Sequence, residues 1–120
     1  MKLSEIVPLV EGTVLTTGVS LDRDITGGCG ADLMSDVLAY SLPNAVLLTG
    51  LCSTQVVRTA QMADVTAIIF VRGKQPTLDT VALANKERIP LISSSFGMFE
   101  VCGRLHAAGL HSLESPIEEG

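Results

Sequence analysis

The feature that most constrains this chain is an alternation. Short apolar runs at residues 13–17, 45–49, 66–71 and 89–92 are each followed by a stretch whose apolar residues recur at helical spacing. The stretch 31–40 carries Leu33, Met34, Val37 and Leu38, 54–63 carries Val56, Val57, Ala60 and Ala63, and 76–88 carries Leu78, Val81, Ala82 and Ala84. A last helix is expected over 96–108, opened by Ser93-Ser94-Ser95, and a short one over 2–10 with Leu3, Ile6, Val7 and Val10 on one face. Parallel strands need a crossover of about a dozen residues, usually a helix, so the alternation predicts an α/β domain with a mainly parallel sheet of four to five strands covered by helices. The run Ala-Val-Leu-Leu-Thr at 45–49 has no polar alternation and suits a strand buried on both faces. Residues 23–26 are the candidate for a fifth, edge strand.

Strands of such a sheet end in loops on one side, and the loop residues here share a character. Val14–Gly18 and Val46–Gly50 both leave through Thr-Gly, while Arg72-Gly73 and Ser93-Ser94 hold the same place on the other two strands. Ligands of open parallel sheets bind beyond the carboxyl ends of the strands, so the candidate polar groups are expected together on that edge.

One stretch, Leu21 to Asp36, departs from the alternation. It places Asp22-Arg23-Asp24, Thr26 and the glycines Gly27, Gly28 and Gly30 ahead of an apolar-periodic helix. Glycines before a helix let several N–H groups converge on an anion, or they simply make a tight turn. The spacing matches neither the Rossmann nor the Walker pattern, and Asp32 in the first turn would oppose an incoming anion. Arg23 either pairs with Asp22 to hold the loop or offers its planar fork to a ligand phosphate. Asp32 and Asp36 share a helical face, and no His stands near to make them a metal or acid–base pair. Thr49, Gly50, Arg72 and Ser94 either line a polar cleft or cap the helices that follow.

Composition excludes several classes. With 120 residues the chain suffices for one domain, and a net charge of −5 with scattered Lys and Arg argues against nucleic acid. No apolar run approaches the roughly 18 residues that span a bilayer, and Glu5 interrupts the amino-terminal segment, so a cytoplasmic protein without a signal peptide is expected. Cys29, Cys52 and Cys102 show no CxxC spacing and are expected as free thiols. Cys102 and His106 lie one helical turn apart, but two ligands are too few for structural zinc. No Gly-x-Ser-x-Gly elbow accompanies the serines. No cofactor, no metal and no catalytic constellation is expected.

The motifs Asp22-Arg23, Thr26-Gly27-Gly28, Asp32–Leu38, Leu48–Leu51, Gln55–Ala60 and Val71-Arg72-Gly73-Lys74-x-Pro76 together resemble the DRTGG-domain family. Phe99-Glu100-x-Cys102-Gly103-x-Leu105 and Ala108-Gly109-Leu110 extend the resemblance over about residues 3–112. In this sequence Asp24-Ile25 stand between the Arg and Thr of the family's five-residue motif. The resemblance implies a three-layer α/β/α regulatory or ligand-sensing module, similar in fold to the N-terminal domain of HPr kinase/phosphorylase and to the DRTGG region of phosphotransacetylases, that tends to form homodimers. One domain is expected over 1–112, with an acidic flexible tail over 113–120. The first functional expectation is a non-catalytic sensor of a small anionic metabolite or nucleotide at the carboxyl edge of the sheet, held by Asp22, Arg23, Thr26, Gly27, Gly28, Asp36, Thr49, Gly50 and Arg72. The alternatives are a protein-interaction or dimerisation module with no small-molecule site, and an accessory to a phosphotransfer enzyme.

Overall fold

The computed structural model describes residues 1–117. In chain order the elements are α1 (Leu3–Leu9), β1 (Thr13–Val14), β2 (Gly27–Gly30), α2 (Met34–Tyr40), β3 (Ala45–Thr49), α3 (Thr54–Met62), β4 (Ala67–Phe70), α4 (Leu78–Glu87), β5 (Leu91–Ser93) and α5 (Met98–Ala107). The five strands form one sheet in the order β1-β5-β4-β3-β2. The contacts β2–β3, β3–β4 and β4–β5 are parallel, and only β1 runs antiparallel, against β5. The expected α/β/α architecture is therefore present.

Alternation of side chains along the strands divides the core in two. Leu47, Ile68, Phe70 and Leu91 face one side, where they pack with Val37, Val56, Val57, Ala60 and Ala84 from α2, α3 and α4. Val46, Leu48, Ala67, Ile69 and Ile92 face the other side, where Leu3 and Ile6 of α1 and Val101 and Leu105 of α5 cover them. Three helices thus cover one face and two the other. All five residues of β3 are buried, as its continuous apolar run requires of a central strand.

The glycine-rich stretch departs from expectation. The strand is not 23–26 but Gly27–Gly30, paired to β3 in the register Gly27↔Ala45 through Gly30↔Leu48. Residues 21–25 instead run past the start of α1, where the Arg23 and Leu21 carbonyls accept the Leu3 and Ser4 N–H groups. Glycine is disfavoured in strands because it gives up packing, yet here a neighbour needs the space. The Gly28 N–H donates to the His111 carbonyl (2.9 Å) and the Leu113 N–H to the Gly28 carbonyl (2.8 Å). A Cβ on Gly27 would come within 2.7 Å of the Leu113 Cβ and 2.8 Å of the His111 carbonyl.

That contact also bears on the expected tail. Leu113 and Ser115 are hydrogen-bonded to Leu42 and Tyr40, so the segment through Ser115 is held between β2 and the end of α2. Of the tail expected over 113–120, residues 118–120 lie outside the described residues.

Three loops entering parallel strands share one device. Asn44, Asp64 and Arg88, placed just before β3, β4 and β5, all adopt positive φ (72°, 55° and 58°). Each lets the chain reverse at a helix end, a place more often taken by glycine.

Candidate functional site

The expected site residues do not converge on one edge. Because β2 starts at Gly27, Asp22, Arg23 and Thr26 lie at the amino ends of the parallel strands, where the Thr26 N–H donates to the Asn44 carbonyl. Thr49 ends β3, and Gly50 and Arg72 follow β3 and β4, at the carboxyl ends. The five residues of β3 separate these groups by about 16 Å, too far for one small ligand to touch both. Expecting all of them on the carboxyl edge rested on reading the glycines as a loop, whereas they are the strand itself.

At the amino edge, Asp22 does not pair with Arg23. Lys2 Nζ lies 3.1 Å from Asp22 and 3.2 Å from Asp24. Hydrogen bonding to the Asp22 and then the Asp24 carboxylate raises the Lys2 pKa. Arg23 donates through Nε to the Ser20 carbonyl (3.1 Å). Its side chain borders an open cleft of about 600 Å³ shared with Asn44, Asp64, Glu87 and Arg88. Two arginines face two carboxylates there, so the cleft carries no strong sign of charge.

The carboxyl edge has a more directed arrangement. The Gly50 N–H donates to Asp32 Oδ1 at 2.7 Å and the Thr49 hydroxyl donates to the same oxygen at 3.2 Å. The Leu51 N–H in turn donates to Thr49 Oγ1 (3.1 Å). Two donors at the β3 exit, the last residue of the strand and the first of the loop, therefore converge on one anionic oxygen supplied by the β2–α2 loop. Thr49 pairs with Phe70, so the β4 exit lies alongside this knot. Arg72 follows with φ 59°, its N–H donating to the Phe96 carbonyl and its exposed guanidinium resting 3.0 Å from where a Cβ on Gly97 would stand. Lys74, also exposed, follows two residues later. Asp32 belongs to this constellation and Asp36 does not enter it: Asp36 borders a separate surface depression with Gly30, Tyr40 and Ser115. The signal that would have found Asp32 is its place one residue beyond Gly30-Ala31, in the loop adjoining Thr49-Gly50.

Gly28 belongs to a third place. With Gly30, Leu48, Cys102, Leu105, His106, Leu110 and His111 it lines a mainly apolar cleft of about 160 Å³ between β2 and α5, where the two-helix face runs short of cover. His111 Nδ1 and His106 Nε2 lie 3.1 Å apart at its rim. Across β2, the Cys29 thiol donates to Glu114 Oε1 (3.3 Å), and burial, reinforced by that carboxylate, pushes its pKa up to about 12. Burial and then Glu114 also raise the Cys102 pKa. These are protonated, weakly nucleophilic thiols. Among the described residues no group of three or more His, Cys, Asp or Glu is placed to hold a metal ion. No helix among them is long and apolar enough to cross a membrane.

The sheet order and the helices on both faces define an α/β/α domain whose loops gather at the carboxyl ends of four parallel strands. More particularly, the fold is DRTGG-like. It matches the crystal structure of the CBS and DRTGG domains of the regulatory region of Clostridium perfringens pyrophosphatase, complexed with its activator diadenosine tetraphosphate, at a TM-score of 0.67 and 12% identity. The match covers 83% of this chain and 44% of that one, so this chain spans less than half of its structural neighbour's length. No protein-family model and no curated protein matches the sequence.

Proposed function

We propose that the protein is a regulatory module that binds a small anionic metabolite or nucleotide at the carboxyl edge of its sheet. The observation that carries this reading is the convergence of the Gly50 N–H and the Thr49 hydroxyl on a single carboxylate oxygen of Asp32. Donors fixed by the backbone of a strand exit suit a phosphate oxygen as well as they suit a carboxylate. Arg72 and Lys74 on the next strand exit supply the positive charge that the chain as a whole lacks. The nucleotide activator bound by the structural neighbour supports the ligand class. Asp32 is then the chain's own occupant of the donor pair, and an incoming phosphate displaces it. Displacement frees the loop that leads into α2, which turns binding into a change in shape. The role needs no catalysis by this domain.

The test is a thermal-melt screen of the protein against adenine and guanine nucleotides, diadenosine tetraphosphate, inorganic phosphate and acetyl phosphate. A ligand at about 100 times its dissociation constant adds about 2.7 kcal/mol to the folded state, which moves the midpoint by several degrees. The shift should vanish in Arg72→Ala, survive in Arg23→Ala, and grow in Asp32→Ala, because that variant leaves the two donors open. A shift abolished by Arg23→Ala alone would move the site to the amino edge. No shift with any ligand would leave the protein-interaction reading, which the exposed Leu33, Leu78 and Phe99 favour.

A further inference from the structure

Two imidazoles stand where a metal ion would hold them. His106 lies in the last turn of α5 and His111 begins the segment that runs along β2, and they are the chain's two histidines. Each follows a buried leucine, Leu105 and Leu110, and the Leu110 N–H donates to the Leu105 carbonyl at 2.9 Å. Gly109, at φ 102°, makes the turn between them, and the His111 carbonyl accepts the Gly28 N–H. Both backbone positions are therefore fixed by the core and by β2, and the rings inherit that placement.

His111 Nδ1 lies 3.1 Å from His106 Nε2, with the ring planes at 78°. Two nitrogens bound about 2.1 Å from one ion stand roughly 3.0–3.4 Å apart, from octahedral to tetrahedral angles. The pair has that spacing. A hydrogen bond between two neutral imidazoles also fits the distance, but both rings are exposed and water competes for such a bond. The local charge favours a cation. Histidines apart, Glu114 is the one ionised residue lining the cleft below the pair, while Arg104, the nearest basic residue in sequence, is turned to Glu100 and Glu11.

We propose that His106 and His111 bind a zinc-class divalent ion, with the Glu114 carboxylate as the negative charge beside it. Imidazole nitrogen suits zinc, copper and nickel, whereas magnesium and calcium take oxygen ligands. The Glu114 oxygens accept the Cys29 thiol at 3.3 Å and the Ser112 hydroxyl at 3.4 Å, long bonds that leave the carboxylate with lone pairs to spare. Among the described residues no third His, Cys, Asp or Glu stands in place, so the ion keeps open positions for water and exchanges, unlike the ion of a closed structural site. Once bound, it ties the end of α5 to the first residue of the segment along β2. This inference does not rest on the anion site, whose residues lie in the loops after β2, β3 and β4.

Calorimetric titration of the chelator-treated full chain with zinc chloride, in phosphate-free buffer, tests it. One ion per chain should bind saturably, and magnesium chloride should give no such isotherm. His106→Ala and His111→Ala should each weaken binding by at least about tenfold, a loss that even an outer-shell partner of a metal can cause. Circular dichroism should be unchanged in both, because both side chains are exposed. Glu114→Gln should weaken binding by a smaller factor, and equal affinity there overturns the carboxylate's part. Nitrogen NMR of the labelled rings gives a second readout: zinc should shift His111 Nδ1 and His106 Nε2 more than the other two ring nitrogens. The proposal is overturned by an absence of saturable binding, by binding that persists when both histidines are replaced, or by a saturable site at which the two facing nitrogens do not shift.

Discussion

β2 and β3 are neighbours in one sheet, hydrogen-bonded residue for residue, and they are built on opposite rules. β3 is Ala-Val-Leu-Leu-Thr, buried throughout, with Leu47 in the core under α2, α3 and α4 and Val46 and Leu48 in the core under α1 and α5. β2 is Gly-Gly-Cys-Gly, with only Cys29 contributing a buried side chain. The first strand is held by what its side chains fill. The second is held by what their absence admits, namely the backbone of residues 111–113 lying close along its outer edge.

That contrast can be broken from either side, and the largest effect should come from β3. Leu47→Ala removes a wholly buried side chain from the centre of the core and should cost about 2–5 kcal/mol in a denaturant titration. A smaller loss would mean that the core collapses readily around the gap. Gly27→Ala should come next, at roughly 1–3 kcal/mol, because the new Cβ must push His111 and Leu113 away. Hydrogen exchange should show the cost as lost protection at the Gly28 and Leu113 amides, and unchanged protection there would separate β2 from its covering segment.

Asp32→Ala tests the knot between the two strand exits and should cost about 1 kcal/mol of stability while strengthening anion binding, a combination that a purely structural carboxylate would not give. Gly28→Ala should be the mildest, within about 0.5 kcal/mol, since the nearest side-chain atom to its Cβ is 3.8 Å away. The Cys29 thiol gives a pH handle on the same strand. Its pKa is raised from 9.0 to about 12 on folding, so the stability lent by the neutral thiol is complete below about pH 9 and is lost as pH rises toward about 12. Alkylation of Cys29 at pH 8 should accordingly be slow in the native chain and faster in Gly27→Ala, where Glu114 is drawn away with its segment.

The contrast also explains which parts of the fold are legible in the sequence. β3, β4 and the helices after them were legible because burial on both faces demands continuous apolar runs, and helix faces demand their spacing. Arg72, Thr49 and Gly50 were placed correctly at strand exits for the same reason. β2 was not legible, since glycine carries no periodicity and the partner that explains it lies more than 80 residues away in sequence. An edge strand expected at 23–26 instead of 27–30 carries Asp22, Arg23 and Thr26 to the wrong edge. Lys2 as the partner of Asp22 and Asp24, and Asp32 as the acceptor for Gly50, were invisible for a related cause: each is a contact between loops that only the finished topology brings together. The direction of β1 is not legible, because two paired residues, Thr13 and Val14, hold too little pattern to show it.

The segment over β2 has a consequence for solubility. A sheet of this kind ends in two edges, and an open edge is a template on which another chain can add a strand. One edge is closed off by brevity, since β1 is only two residues long. The other is a flat glycine ribbon, with few side chains to obstruct a visitor, and it is sealed by the chain's own residues 111–115. Any change that lifts that segment uncovers a surface ready to pair with whatever extended peptide comes first, so its hold on β2 guards the protein against aggregation.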